Sequence, residues 1–90
     1  MYLHIGNDII LKKENILFIL DYENFNENKI CKEFYEKIEK KNITDISKQK
    51  PKSIIITKEN DTIKAYISNI SSNTLGKRTI WKIFTWFLKN

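Results

Sequence analysis

Two isoleucine-rich runs of strand length, Ser53 to Thr57 and Thr62 to Ser68, flank the short polar segment Lys58-Glu59-Asn60-Asp61. A β-branched run on each side of a connection this short predicts a β-hairpin. In the second run Ile63, Ala65 and Ile67 alternate with Lys64, Tyr66 and Ser68. Successive strand residues point to opposite faces, so one buried face is expected there.

The rest of the chain supplies partners for that hairpin. Tyr2-Leu3-His4-Ile5 is a short run stopped by Gly6-Asn7-Asp8, a cluster suited to a tight turn, and Ile9-Ile10-Leu11 resumes it. Asn15 to Leu20 is nearly continuous in apolar residues, which predicts a strand buried on both faces or beneath a partner subunit. Asn24, with Glu27 three residues on, resembles a capping box. Beyond it Ile30, Phe34 and Ile38 recur at helical spacing with Cys31 and Tyr35 beside them, predicting an amphipathic helix of about four turns that ends near Asn42. Ile43 to Ile46 suits a short edge strand, and Ser47 to Lys52, with the single proline, a loop. Ser71-Ser72-Asn73-Thr74 offers N-caps for a final helix running toward Asn90. The expected fold is α+β, a small antiparallel-type sheet with one amphipathic central helix and a C-terminal helix. One domain is expected over residues 1–90, with 79–90 an apolar helical extension.

At 90 residues such a domain has a modest core, burying only about 60–65% of its unfolded surface, and self-association would help it. Apolar residues at 41% and charged residues at 30% suit a folded domain rather than a disordered one. The formal charge of +5 draws such a domain toward anionic partners without choosing among them. No apolar stretch reaches the ~20 residues a spanning helix needs, and the first residues lack the pattern of a secretion signal. With Cys31 the lone cysteine, a packed thiol and a cytoplasmic location are expected.

An enzyme needs convergent groups, and few are offered. His4 lies in a predicted strand with no second metal ligand at useful spacing, so a structural role is expected. Cys31 sits mid-helix on the apolar side without a local helper. With Gly6 and Gly76 the only glycines, no phosphate-cradling loop is present. No catalytic residue, metal, cofactor or small-molecule substrate is therefore expected. Binding is better supported. Lys48, Lys50 and Lys52 alternate along the polar loop, and in an extended segment their ammonium groups would form one positive stripe suited to phosphates, or else simply solvate the loop. Lys77 and Arg78 could assist, Arg78 by bidentate contact, or could pair at a subunit contact.

The segment Ile80 to Leu88 is unusually apolar. On a helix Ile80, Ile83, Phe84 and Phe87 form one stripe, widened by Trp81 and Leu88. That is more than one small core uses, so it is expected to serve self-association or a protein partner. A membrane surface is not the expected partner, since only Lys82 and Lys89 supply a cationic face.

Tyr2-Leu3-His4-Ile5-Gly6, Pro51-Lys52-Ser53-Ile54 and the run from Ile67-Ser68 through Ile70-Ser71-Ser72, Thr74-Leu75 and Lys77-Arg78 together resemble the RemA/RemB family of bacterial extracellular-matrix regulators. The resemblance extends to about Thr79, and the Ser71–Arg78 segment is its most specific part. It implies a non-enzymatic, cytoplasmic homo-oligomer with a LytTR-like fold that binds DNA and regulates matrix (biofilm) genes. It also implies a DNA-contacting arginine pair in the loop before the central strand, where Gln49 and Lys50 stand here. DNA contact through Lys48, Lys50, Lys52, Lys77 and Arg78 is thus expected, with Ile80, Trp81, Ile83, Phe84 and Phe87 at a subunit interface. The alternative is a scaffolding module whose ring and C-terminal helix bind a protein partner.

Overall fold

The computed structural model describes residues 1–25 and 27–79. It is a mixed α+β structure with two sheets and three short helices. β1 (Tyr2–Gly6) and β2 (Ile9–Lys12) form an antiparallel hairpin. Its turn is left-handed throughout, with φ of +111° at Gly6, +48° at Asn7 and +61° at Asp8. The positive φ favours glycine at position 6, and a Cβ there would also sit tightly, 3.3 Å from Asn69 Oδ1.

The second sheet has the order β3-β5-β6-β4, built from β3 (Ile16–Asp21), β4 (Ile43–Asp45), β5 (Ser53–Glu59) and β6 (Thr62–Ser68). The expected hairpin is β5–β6; β6 has the predicted bounds, and β5 runs two residues further than predicted. Glu59 pairs with Thr62, leaving Asn60 and Asp61 as a two-residue turn at φ +51° and +65°. Both central residues of a type I′ turn need positive φ, and asparagine and aspartate tolerate it best. The antiparallel expectation needs correction at the edge, where β4 runs parallel to β6.

The sheet is covered on both faces. On one, Ile16, Ile19, Ile55 and Tyr66 pack with Leu3, Ile5 and Leu11 of the first hairpin and with Leu75 of α3 (Ser72–Thr79). On the other, Leu20, Ile54, Ile56 and Ala65 pack with Phe25 of α1 (Tyr22–Phe25) and Cys31 of α2 (Lys29–Glu36). The apolar run of β3 is therefore covered on both faces, by Leu3, Ile5 and Leu11 on one and Phe25 on the other, except at Leu17, which stays 43% exposed. The one-faced expectation for β6 is corrected by the same layering: Tyr66 and Ser68 are buried along with Ala65. Burying a phenol requires a partner for its hydroxyl, and Tyr66 donates to Glu59 Oε2 at 2.9 Å, which Thr57 also reaches at 2.7 Å.

The central helix is shorter than predicted. Asn28, not Asn24, is its cap, its Oδ1 accepting from the Cys31 N–H at 3.1 Å. Asn24 instead closes a turn through its own carbonyl, which accepts from the Glu27 N–H at 3.1 Å. With the start moved to Lys29, the inner face becomes Cys31, Phe34 and Tyr35, and Ile30 is left 79% exposed. Ile38 is buried just past the helix end. Edge-on ring contacts hold the helix down, Phe18 with Phe34 at 5.8 Å and Phe25 with Tyr35 at 5.1 Å. Burial pushes the Cys31 thiol pKa up, consistent with a packed rather than reactive cysteine.

The final helix begins as predicted. Ser71 is its cap, Oγ accepting from the Thr74 N–H at 3.2 Å. Its expected continuation, including Ile80, Trp81, Ile83, Phe84 and Phe87, lies outside the described residues. Among the described residues no helix is long and apolar enough to cross a membrane.

Candidate nucleic-acid interface

The basic loop is pinned before its lysines begin. Asp45, the last residue of β4, accepts from the Ser47 N–H at 2.9 Å and from the Ser47 hydroxyl at 2.6 Å. Those two bonds, the hydroxyl first, hold the Asp45 carboxyl below the usual carboxylate range. Ser47 is itself buried, so the chain leaves the sheet at a fixed point.

From there it turns at once. The Lys50 N–H donates to the Ser47 carbonyl at 3.1 Å, and Lys48 and Gln49 both have positive φ, +54° and +67°. This corrects the premise of an extended stripe. Lys48 and Lys50 stand on a tight turn, and only Lys50 to Lys52 leads on toward β5. The signal was present in Asp45-Ile46-Ser47, because an aspartate two residues before a serine closes a local turn readily. Left-handed backbone costs a residue with a Cβ roughly 1–2 kcal/mol. Gln49→Gly is therefore expected to raise stability by about 1 kcal/mol in denaturant unfolding while leaving every lysine in place.

The three lysines are all exposed, and none forms an ion pair with a described residue. The far end of the loop is fixed by the Lys52 N–H donating to the Ser68 carbonyl at 2.8 Å and the Lys52 carbonyl accepting from the Tyr22 N–H at 3.0 Å. Lys77 is exposed on α3, and Arg78 follows it. His4 lies on the exposed face of β1, and among the described residues no group of three potential metal ligands is assembled.

What the sequence did not reveal is a set of serine hydroxyls that anchor the loop's surroundings. Ser68 Oγ, fully buried, donates to the Ile5 carbonyl at 2.6 Å and accepts from the Ile70 N–H at 3.0 Å. Ser53 Oγ donates to the Ile70 carbonyl at 2.8 Å. Ser53 and Ser68 are themselves paired across β5 and β6. Thus the Gly6 turn region, the entry to β5 and the lead into α3 are tied together at one end of the sheet, beside the basic loop.

Several of these positions lie in the segments on which the resemblance read from the sequence rests. Residues 2–79 match the RemA-like family, described as extracellular matrix regulatory protein A-like. The chain belongs to the RemA-like family. It is 36% identical over 78 residues to extracellular matrix regulatory protein B of Bacillus subtilis (strain 168), covering 87% of this chain and 89% of that protein. In this RemA-like chain each of these positions has a physical role. Gly6 makes a left-handed turn, Ser53 and Ser68 supply buried hydroxyl ties, Ser71 caps a helix, and Leu75 fills the core.

Proposed function

We propose that this RemA-like chain is a self-assembling regulator that contacts DNA through Lys48, Lys50 and Lys52, linked to expression of extracellular-matrix genes. The LytTR-like fold implied by the resemblance belongs to the same reading. The observation that carries it is a loop pinned at both ends that presents three exposed lysines without ion-pair partners among the described residues. Lysine is a point charge, so these groups would grip phosphates and set orientation rather than read bases. Lys77 and Arg78 would add contacts from α3. One such patch is weak. Repeated on the subunits of an assembly, it gains by avidity along one duplex.

Fluorescence anisotropy with duplex DNA at ~50 mM and ~200 mM salt tests this. Binding is expected to fall steeply with salt. Lys48/Lys50/Lys52→Ala is expected to weaken it at least ~10-fold and to lower the salt slope by about one for each phosphate no longer neutralised. Affinity undetectable at the lower salt, or unmoved by the triple substitution, would overturn the proposal.

A further inference from the structure

The basic loop passes over the end of a strand. β6 lies between β4 and β5, parallel to the first and antiparallel to the second, so the chain from β4 to β5 crosses the C-terminal end of β6. Two bonds mark the crossing. The Ile46 N–H donates to the Ile67 carbonyl at 2.8 Å on one side of β6, and the Lys52 N–H donates to the Ser68 carbonyl at 2.8 Å on the other. The flanking strands are two strand spacings apart, roughly 10 Å. The six steps from Ile46 to Lys52, fully extended, would reach about 20 Å. The chain is thus about twice as long as its gap, and fixed ends alone do not hold the lysines still.

A turn takes up the slack, and that turn needs a brace. The Lys50 N–H donates to the Ser47 carbonyl at 3.1 Å across Lys48 and Gln49, both in a left-handed conformation that residues with a Cβ avoid. Asp45 supplies the brace. Its Oδ1 accepts from the Ser47 N–H at 2.9 Å and from the Ser47 hydroxyl at 2.6 Å, so the first residue of the turn is held from both sides. Asp45 forms no ion pair with a described lysine, and so sits at the base of a basic loop without neutralising it. Two effects oppose each other there. As a charge, Asp45 repels a phosphate backbone. As a brace it orders the turn in advance, so less backbone freedom is lost when a duplex is bound. Asp45 is exposed, and salt screens its charge within about 8 Å at physiological strength. Its bonds run to a buried serine, which screening does not weaken in the same way. The brace prevails.

We infer that Asp45 is a positioning residue for the DNA contact of Lys48, Lys50 and Lys52, strengthening it by bracing the turn at Ser47 in spite of its own negative charge. This rests on the proposed DNA contact and adds to it the residue that fixes the shape of the loop.

The two effects predict opposite signs. Charge alone makes binding tighter whenever the carboxylate is removed, whereas the brace makes it weaker wherever Ser47 loses an acceptor. In fluorescence anisotropy with the full chain, Asp45→Ala is expected to weaken duplex binding by about 3–10-fold, although it raises the formal charge of +5 by one. Asp45→Asn removes the same charge but keeps a side-chain oxygen for Ser47, and is expected to bind at least as tightly as the unaltered chain. Binding by Asp45→Ala no weaker than by Asp45→Asn would overturn the inference. Ser47→Ala serves should Asp45→Ala fail to fold. It retains the carboxylate and loses the 2.6 Å bond, so its expected fall of about 2-fold or more has no origin in charge. Unchanged affinity in Ser47→Ala would also overturn it. An unaltered chain that binds no duplex removes the proposed function and this inference together. Binding that is lost in Lys48/Lys50/Lys52→Ala but kept in Asp45→Ala removes the inference alone.

Discussion

Leu75→Ala is expected to lower the stability of this chain by about 3 kcal/mol, the largest effect of any single apolar truncation on α3. Leu75 has no exposed surface and is the residue through which α3 joins the cluster of Leu3, Ile5, Leu11, Ile16, Ile19, Ile55 and Tyr66. Truncation removes the transfer free energy of three carbons and leaves a cavity that the surrounding isoleucines, fixed by the sheet, fill poorly. In a 90-residue chain that is a large fraction of a total of roughly 5–15 kcal/mol, and a fall in Tm of more than ~10 °C follows. Calorimetry measures it. A shift below ~3 °C would mean that α3 does not contribute to the cooperative core.

Ser68→Ala should cost nearly as much by a different route. The substitution removes only one oxygen, yet the Ile5 carbonyl and the Ile70 N–H each lose a partner at a fully buried site. An unsatisfied buried group costs roughly 1–3 kcal/mol, so a loss of about 2–4 kcal/mol is expected in denaturant unfolding. Hydrogen exchange adds a specific signature. The Ile70 amide should lose protection by more than ~10-fold beyond the global change, since its acceptor is gone. The two substitutions separate packing from hydrogen bonding at the same end of the molecule. Ser53→Ala, which removes one bond to the Ile70 carbonyl and nothing from its N–H, should fall between wild type and Ser68→Ala.

Strands were the most legible part of this chain because isoleucine-rich runs bounded by turn residues have few other uses. The uninterrupted run from Ile16 to Leu20 pointed to cover on both faces or beneath a partner subunit, and within the chain both faces are covered except at Leu17. The central helix is shorter than expected at both ends, and its start has a physical reason. Asn24 and Asn28 are each suited to capping, and only tertiary packing chooses, through Phe25 reaching the core and leaving Ile30 outside. The parallel pairing of β4 was illegible because a three-residue strand carries no directional signal of its own. At the candidate site, the loop and its lysines were plain from composition. Asp45-Ile46-Ser47 signalled that the chain would turn there, but not that Lys48 and Gln49 would take positive φ, which lysine and glutamine rarely announce. The serine ties were hidden for a simpler reason: a serine at a strand end resembles any turn residue until its distant acceptor is known.

The bond between Ser68 and Ile5 spans 63 positions of sequence, and it is one of the ties that fasten the first hairpin to the rest. A ribosome delivers that hairpin well before its clasp. Two strands alone are only marginally stable in water, so the newly made β1 and β2 have little to rest on until β6 and Leu75 have been synthesised. Over that interval the apolar inner face of the hairpin, Leu3, Ile5 and Leu11, has no native cover. Such a topology puts its kinetic bottleneck in the closing of the longest loop and makes slow synthesis, or crowding by other nascent copies, the moment of greatest aggregation risk.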